Sequence, residues 1–112
     1  MLADRDGWAV FVASENELQT VGLVEAHLRD YAEGADSQPV GYIEGWFVLP
    51  EFRKRGIGRA LIEAAEGWAR SRGCSELASD AQLDNQGSIE AHGRLGFRET
   101  ERIVCFLKRL DD

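Results

Sequence analysis

Arg53-Lys54-Arg55-Gly56-Ile57-Gly58-Arg59-Ala60 stands between an apolar run ending at Pro50 and a helical pattern that begins near Gly58. Its reading decides the fold. Glycines at 56 and 58 let the backbone come close to a ligand. The helix behind them offers unpaired N–H groups and a positive dipole end. Four of the eight side chains are cationic, so the stretch reads either as an anion site or as a solvated charge cluster at a helix start. The glycine spacing directly after a strand-like run favours the anion. A Walker loop needs Gly-x-x-x-x-Gly-Lys-Ser/Thr, which is absent, and a dinucleotide fingerprint needs a small residue where Leu61 stands.

Working outward, Gly41 to Leu49 is nearly all apolar, as expected of a central strand covered on both faces. Leu61, Ile62, Ala65, Trp68 and Ala69 recur at helical spacing and Gly73 supplies the stop. Cys74 to Asp80 reads as a short strand. Strand, helix and strand then form a right-handed crossover with parallel neighbours. Upstream, Trp8 to Ala13 and Leu18 to Leu28 read as a hairpin around the polar Ser14–Glu17 cluster, and Arg29 to Pro39 as a loop. Downstream, Ser88 to Leu95 reads as a short helix stopped by Gly96, and Phe97 to Leu110 as one or two strands. The expected class is α/β (α+β), with a mixed, mostly antiparallel sheet.

The chain has 112 residues and a formal charge of −7. That length makes residues 1–112 a single domain, small for an enzyme that holds two ligands, so oligomerisation is expected. The acidic balance speaks against nucleic-acid binding and for a cationic partner. No signal-peptide core and no membrane-length apolar run is present, which implies a cytoplasmic protein with no membrane association. Cys74 and Cys105 lack metal spacing and fall in strand-like segments, so both are expected as buried thiols; no metal site is expected.

Among residues able to do chemistry, Glu44 is the one side chain between Val40 and Leu49 that is charged at neutral pH. A carboxylate there needs a partner, a bend or a raised pKa, conditions that suit a general base; the alternative is a Glu pointing out of a sheet edge. Asp80 closes the strand after the crossover, at the carboxyl edge where ligands of open sheets gather, or else is an ordinary turn residue. Asn85 reads as a helix cap, and His92 as a structural histidine or a proton donor. His27, Trp8 and Trp68 read as packing residues.

Arg53-x-x-Gly56-x-Gly58 matches the pyrophosphate-binding signature of the GNAT superfamily of acetyl-CoA-dependent N-acetyltransferases. Tyr42-Ile-Glu-Gly-Trp-Phe-Val-Leu-Pro50, Ser79-Asp80 followed by Asn85, and His92-Gly-Arg-Leu-Gly-Phe97 narrow the resemblance to the aminoglycoside 6'-N-acetyltransferases, from Trp8 to Arg109. The resemblance implies acetyl-CoA as co-substrate and a cationic aminoglycoside as acceptor, hence a role in antibiotic resistance. Trp46, Phe47 and Val48 would hold the pantetheine arm where the strand splays from its neighbour, with the Val48 N–H on the thioester oxygen. Arg53 and the run Lys54, Arg55, Gly56, Ile57, Gly58 and Arg59 would take the pyrophosphate, and Asn85 would touch the cofactor further along. Tyr31, Glu44, Asp80 and Glu101 match positions lining the antibiotic site. Catalysis would fall to Glu44 as base, Asp80 as anchor or second carboxylate, and His92 as acid, where many relatives carry Tyr. Transfer would be direct, since neither cysteine sits at the cofactor turn.

The first strand and helical segment that usually precede the Trp8 strand have no counterpart here. A homodimer is the expected remedy, with the C-terminal strand and Glu101 reaching the partner's site. Acetylation of a polyamine or a protein N-terminus, and a shortened acetyl-CoA-binding module without catalysis, are the competing readings.

Overall fold

A computed structural model describes residues 3–111, with side chains from Asp6 onward. Five strands form one sheet in the order β1-β2-β3-β4-β5. They are β1 (Ala3–Arg5), β2 (Trp8–Asn16), β3 (Gln19–Arg29), β4 (Val40–Val48) and β5 (Leu77–Ala78). The first three pairings are antiparallel and β4 with β5 is parallel. Helices α1 (Ile57–Ser71) and α2 (Gln86–Arg94) complete the regular structure, with a 3-10 turn at Pro50–Phe52.

The hairpin, the central strand and the strand–helix–strand unit thus form as the apolar spacing requires. On α1, Leu61, Ile62, Ala65, Trp68 and Ala69 are buried, the stripe that a period of 3.6 places on one side. It packs on one face of the sheet, against Ala9, Val24, Ala26, Ile43 and Val48. Gly73 takes φ +87° and closes the helix. Alternation along β3 and β4 then turns His27, Arg29, Tyr42 and Glu44 to the other face, where a second cluster of Ala32, Val40 and Tyr42 is buried.

Three expectations are corrected. The strand expected over Cys74–Asp80 shortens to Leu77–Ala78, because β4 offers it pairing only at Gly41 and Tyr42. Phe97 to Leu110 forms no strand: Phe97 packs on the core, but Ile103, Val104, Phe106, Leu107 and Leu110 stand exposed. β-Propensity supplies no hydrogen-bond partner, and among the described residues no strand pairs with this segment. Cys74 is buried in the turn after α1 rather than in a strand, and Cys105, expected inside, is exposed on that tail; both are free thiols. β1 is an additional strand beyond those expected.

The loop between β3 and β4 is fixed by Glu76, whose carboxylate accepts bonds from the Asp36 N–H at 2.9 Å, the Ser37 N–H at 2.8 Å and the Ser37 hydroxyl. The Ser37 hydroxyl first, then the Asp36 N–H, hold the Glu76 carboxyl below its ordinary value of 4.5. The depressed value means that this contribution to stability is complete above the unfolded pKa and lost as pH falls through the folded one. Thermal unfolding followed from pH 7 to pH 3 should therefore show a steeper acid loss for the parent chain than for Glu76→Gln, which keeps an acceptor but has no proton to take up.

Candidate active site

Beyond Tyr42, β4 and β5 part. No strand lies on that side of β4 from Ile43 to Val48 among the described residues. On the other side the Leu49 N–H bonds the Val21 carbonyl at 2.8 Å. Alternation in an antiparallel pair therefore turns the backbone groups of Val48 toward the open side. Its carbonyl there accepts Arg53 Nε at 2.8 Å, and its N–H aims into the same opening. Trp46 fastens the strand to the helix by donating from Nε1 to the Gly58 carbonyl at 3.2 Å. A Cβ on Gly58 would come within 3.3 Å of that indole, so a larger residue there would push the indole back by a few tenths of an ångström.

The basic turn continues from there. Lys54 (φ +63°) and Gly56 (φ +85°) both take the left-handed conformation, the second as the N-terminal cap of α1 without a side-chain hydrogen bond. The N–H groups of Ile57, Gly58 and Arg59 open the helix and have no partner within it. Lys54, Arg55 and Arg59 are exposed and pair with no carboxylate among the described residues. Backbone donors, a dipole end and unpaired cations converge at the mouth of the β4 opening, which fits a pyrophosphate and the pantetheine arm behind it.

At the inner end of the opening lies a cleft of about 120 Å³, lined by Glu44, Trp46, Ser79, Asp80, Ser88 and His92 among others. Three residues singled out in the sequence, Glu44, Asp80 and His92, thus come together. Glu44 sits where the pairing of β3 and β4 slips by one residue, a bulge that aims its side chain into the cleft mouth. Its Oε2 accepts Arg29 Nη2 at 2.9 Å and lies 2.6 Å from His27 Nδ1, with the carboxylate 23 % exposed. The charge expected to be costly in an apolar run is therefore paired. His27 Nδ1 lies close to the acid without a hydrogen bond to it, and its ring stacks on Trp8 at 4.2 Å.

Asp80 Oδ2 accepts the Tyr42 phenol at 2.7 Å. Burial first, and the Asp80 bond and charge next, push the Tyr42 pKa well above its ordinary 10. His92 gives Nδ1–H to the Ser88 carbonyl at 2.7 Å, leaving Nε2 as acceptor for the Ser79 hydroxyl at 2.8 Å. A neutral ring in this tautomer connects to the cleft through Ser79. Asn85 caps α2 by accepting the Ser88 N–H at 3.1 Å.

Glu101 lies elsewhere. It lines a wider groove of about 1330 Å³ along the free side of β5, which Asp80, Ser79 and His92 share. Tyr31 is 66 % exposed on the loop after β3 and lines neither space. The residues that sequence reasoning missed are Arg29 and Tyr42. The only signal for them is their two-residue spacing from His27 and Glu44 on adjacent strands.

An amine entering this cleft meets a carboxylate able to take its proton, next to a strand edge able to hold an acyl carrier. Residues 2–97 match the model of the acetyltransferase (GNAT) family. The chain belongs to the GNAT family. It is 47 % identical over 111 residues to an aminoglycoside N(6')-acetyltransferase type 1 of Stenotrophomonas maltophilia, spanning 98 % of this chain and 72 % of that one. Among solved structures, AAC(6')-Iy in complex with the bisubstrate analogue CoA-S-monomethyl-acetylneamine superposes with a TM-score of 0.87 at 43 % identity, over 93 % of this chain and 71 % of the other. AAC(6')-Iy in complex with CoA gives 0.88 at 44 %, over 93 % and 78 %. The GNAT assignment agrees with the splayed strand and the basic turn. Among the described residues no cluster of His, Cys, Asp and Glu could hold a metal ion, and no helix is long and apolar enough to cross a membrane.

Proposed function

We propose that the chain transfers acetyl from acetyl-CoA to the 6'-amine of aminoglycosides, in the cytosol. The observation that carries this reading is the pair of carboxylates, Glu44 and Asp80, in one cleft at the point where β4 leaves β5. Two anions suit a ligand bearing several ammonium groups, and the names of the relatives agree.

Acetyl-CoA supplies the thioester. Arg53, Lys54, Arg55 and Arg59, with the backbone of Gly56, Ile57 and Gly58, receive its pyrophosphate, and Trp46, Phe47 and Val48 line its arm. Asn85, already occupied as a cap, contacts it further out. Glu44 takes the proton of the bound ammonium, directly or through a water, so that nitrogen has a lone pair when it attacks. The outward Val48 N–H meets the carbonyl oxygen as negative charge develops. Asp80 anchors a second ammonium. In its imidazolium form His92 would donate from Nε2–H to the Ser79 oxygen while the Ser79 hydroxyl passes its own proton to the leaving sulfur. Holding amine and thioester together supplies much of the acceleration.

The protein acts as a homodimer in this proposal. The exposed run from Ile103 to Leu110 would add to the free edge of a second copy's β5, carrying Glu101 into the partner's acceptor groove.

Thiol release from acetyl-CoA distinguishes the readings. Kanamycin or tobramycin should support it, while a 6'-hydroxy aminoglycoside and spermidine should not. Release with spermidine alone would make the enzyme a polyamine acetyltransferase, and no release despite cofactor binding would make it a binding module.

A further inference from the structure

Each carboxylate of the cleft is held by one oxygen and open at the other. Glu44 is bound through Oε2 to Arg29 Nη2, and Asp80 through Oδ2 to the Tyr42 phenol. Neither Glu44 Oε1 nor Asp80 Oδ1 bonds a protein group among the described residues. The two holders also touch each other, with Arg29 Cζ 3.5 Å from the centre of the Tyr42 ring.

That ring cannot shift easily. It is 4 % exposed and packs with Ala32 and Val40, and its hydroxyl stays protonated and donating at any working pH. A planar guanidinium on an aromatic face, with one edge on a carboxylate, is confined in a way an ammonium is not. The contacts form a continuous bridge, Glu44 to Arg29 to Tyr42 to Asp80, running from β3 across β4 to the end of β5.

We infer that Arg29 and Tyr42 are positioning residues that set the distance between the two open carboxylate oxygens, and thereby select acceptors carrying a second ammonium at a fixed distance from the reacting amine. The inference rests on the amine-acetylation reading above. Arg29 covers Oε2 and so directs the reacting amine to Oε1. Tyr42 does the same at Asp80 for the second ammonium. Selection then acts on the spacing of two amines, beyond total charge.

The test compares neamine with 6-amino-6-deoxyglucose, which keeps a reacting amine and lacks the others. Tyr42→Phe removes one hydrogen bond to a charged group and keeps the ring under Arg29. It should raise KM for neamine about tenfold, with kcat moved far less, and lower the neamine to monoamine ratio of kcat/KM by the same factor. Arg29→Lys keeps the charge and loses the flat stack, and should lower the ratio likewise. A melting temperature within a few degrees of the parent confirms that the fold is intact. Equal losses with both acceptors, or an unchanged ratio, would overturn the inference. If the parent turned over neither acceptor, the amine-acetylation reading would fail by itself. Calorimetric titration with neamine then decides the positioning claim: weaker binding by Tyr42→Phe supports it, and equal binding or none by the parent overturns it.

Discussion

Glu44→Gln is expected to lower kcat for amine acetylation by about 100- to 10,000-fold, the range over which a positioned base contributes, with acetyl-CoA binding retained. The substitution keeps the side chain's size and an oxygen for Arg29 Nη2, now 2.9 Å from Oε2, and removes the capacity to take the proton together with the negative charge. Nothing at the basic turn changes, because Glu44 lies at the inner end of the opening and Lys54 to Arg59 at its mouth. Thiol release gives kcat, and a titration with CoA gives the affinity. Retained turnover would remove Glu44 from the mechanism and shift attention to Asp80.

The second large effect belongs to the anion turn. Arg55 and Arg59 are exposed and without a carboxylate partner among the described residues, so the fold loses little when they change. A charge-assisted contact to phosphate is worth about 1.5–3 kcal/mol, or roughly ten- to a hundredfold each. Arg55→Glu with Arg59→Glu should therefore raise KM for acetyl-CoA by about a hundredfold or more, while KM for the amine moves little. The parent's KM for acetyl-CoA should also rise with salt, and the double variant's should rise less. Equal KM values would mean that the pyrophosphate rests on the backbone N–H groups with Arg53 and Lys54, and not on Arg55 and Arg59.

Much of this was legible in the chain because it is local. The period of α1, its glycine stop at Gly73 and the glycines of the basic turn are set by neighbours within a few residues. The lone Glu44 in an apolar strand and Asp80 after the crossover could be read as chemistry because charge in such places is costly. Arg29 and Tyr42 could not. Their roles depend on the register that sets His27 opposite Tyr42 and on the bulge that turns Glu44 toward them, facts of pairing between strands. His27 reads only as packing for the same reason, since both its stack on Trp8 and its approach to Glu44 come from the pairing of strands.

The C-terminal run failed for a different cause. Ile103 to Leu107 is apolar enough for an interior strand, yet sequence alone does not say whose edge receives it. Within one chain it passes the free side of β5 unpaired, with Phe106 91 % exposed. The β5 strand is short by the same logic, because β4 leaves it after Tyr42. What looks like a defect of the sheet is, on the proposed function, the opening that would take the acyl carrier.

The most direct test of the account is product analysis after incubation with acetyl-CoA and tobramycin. The account predicts one product, heavier by a single acetyl group, with NMR placing that group on the 6' nitrogen. Acetylation at another amine, or spread over several, would contradict the placement of the acceptor between Glu44 and Asp80.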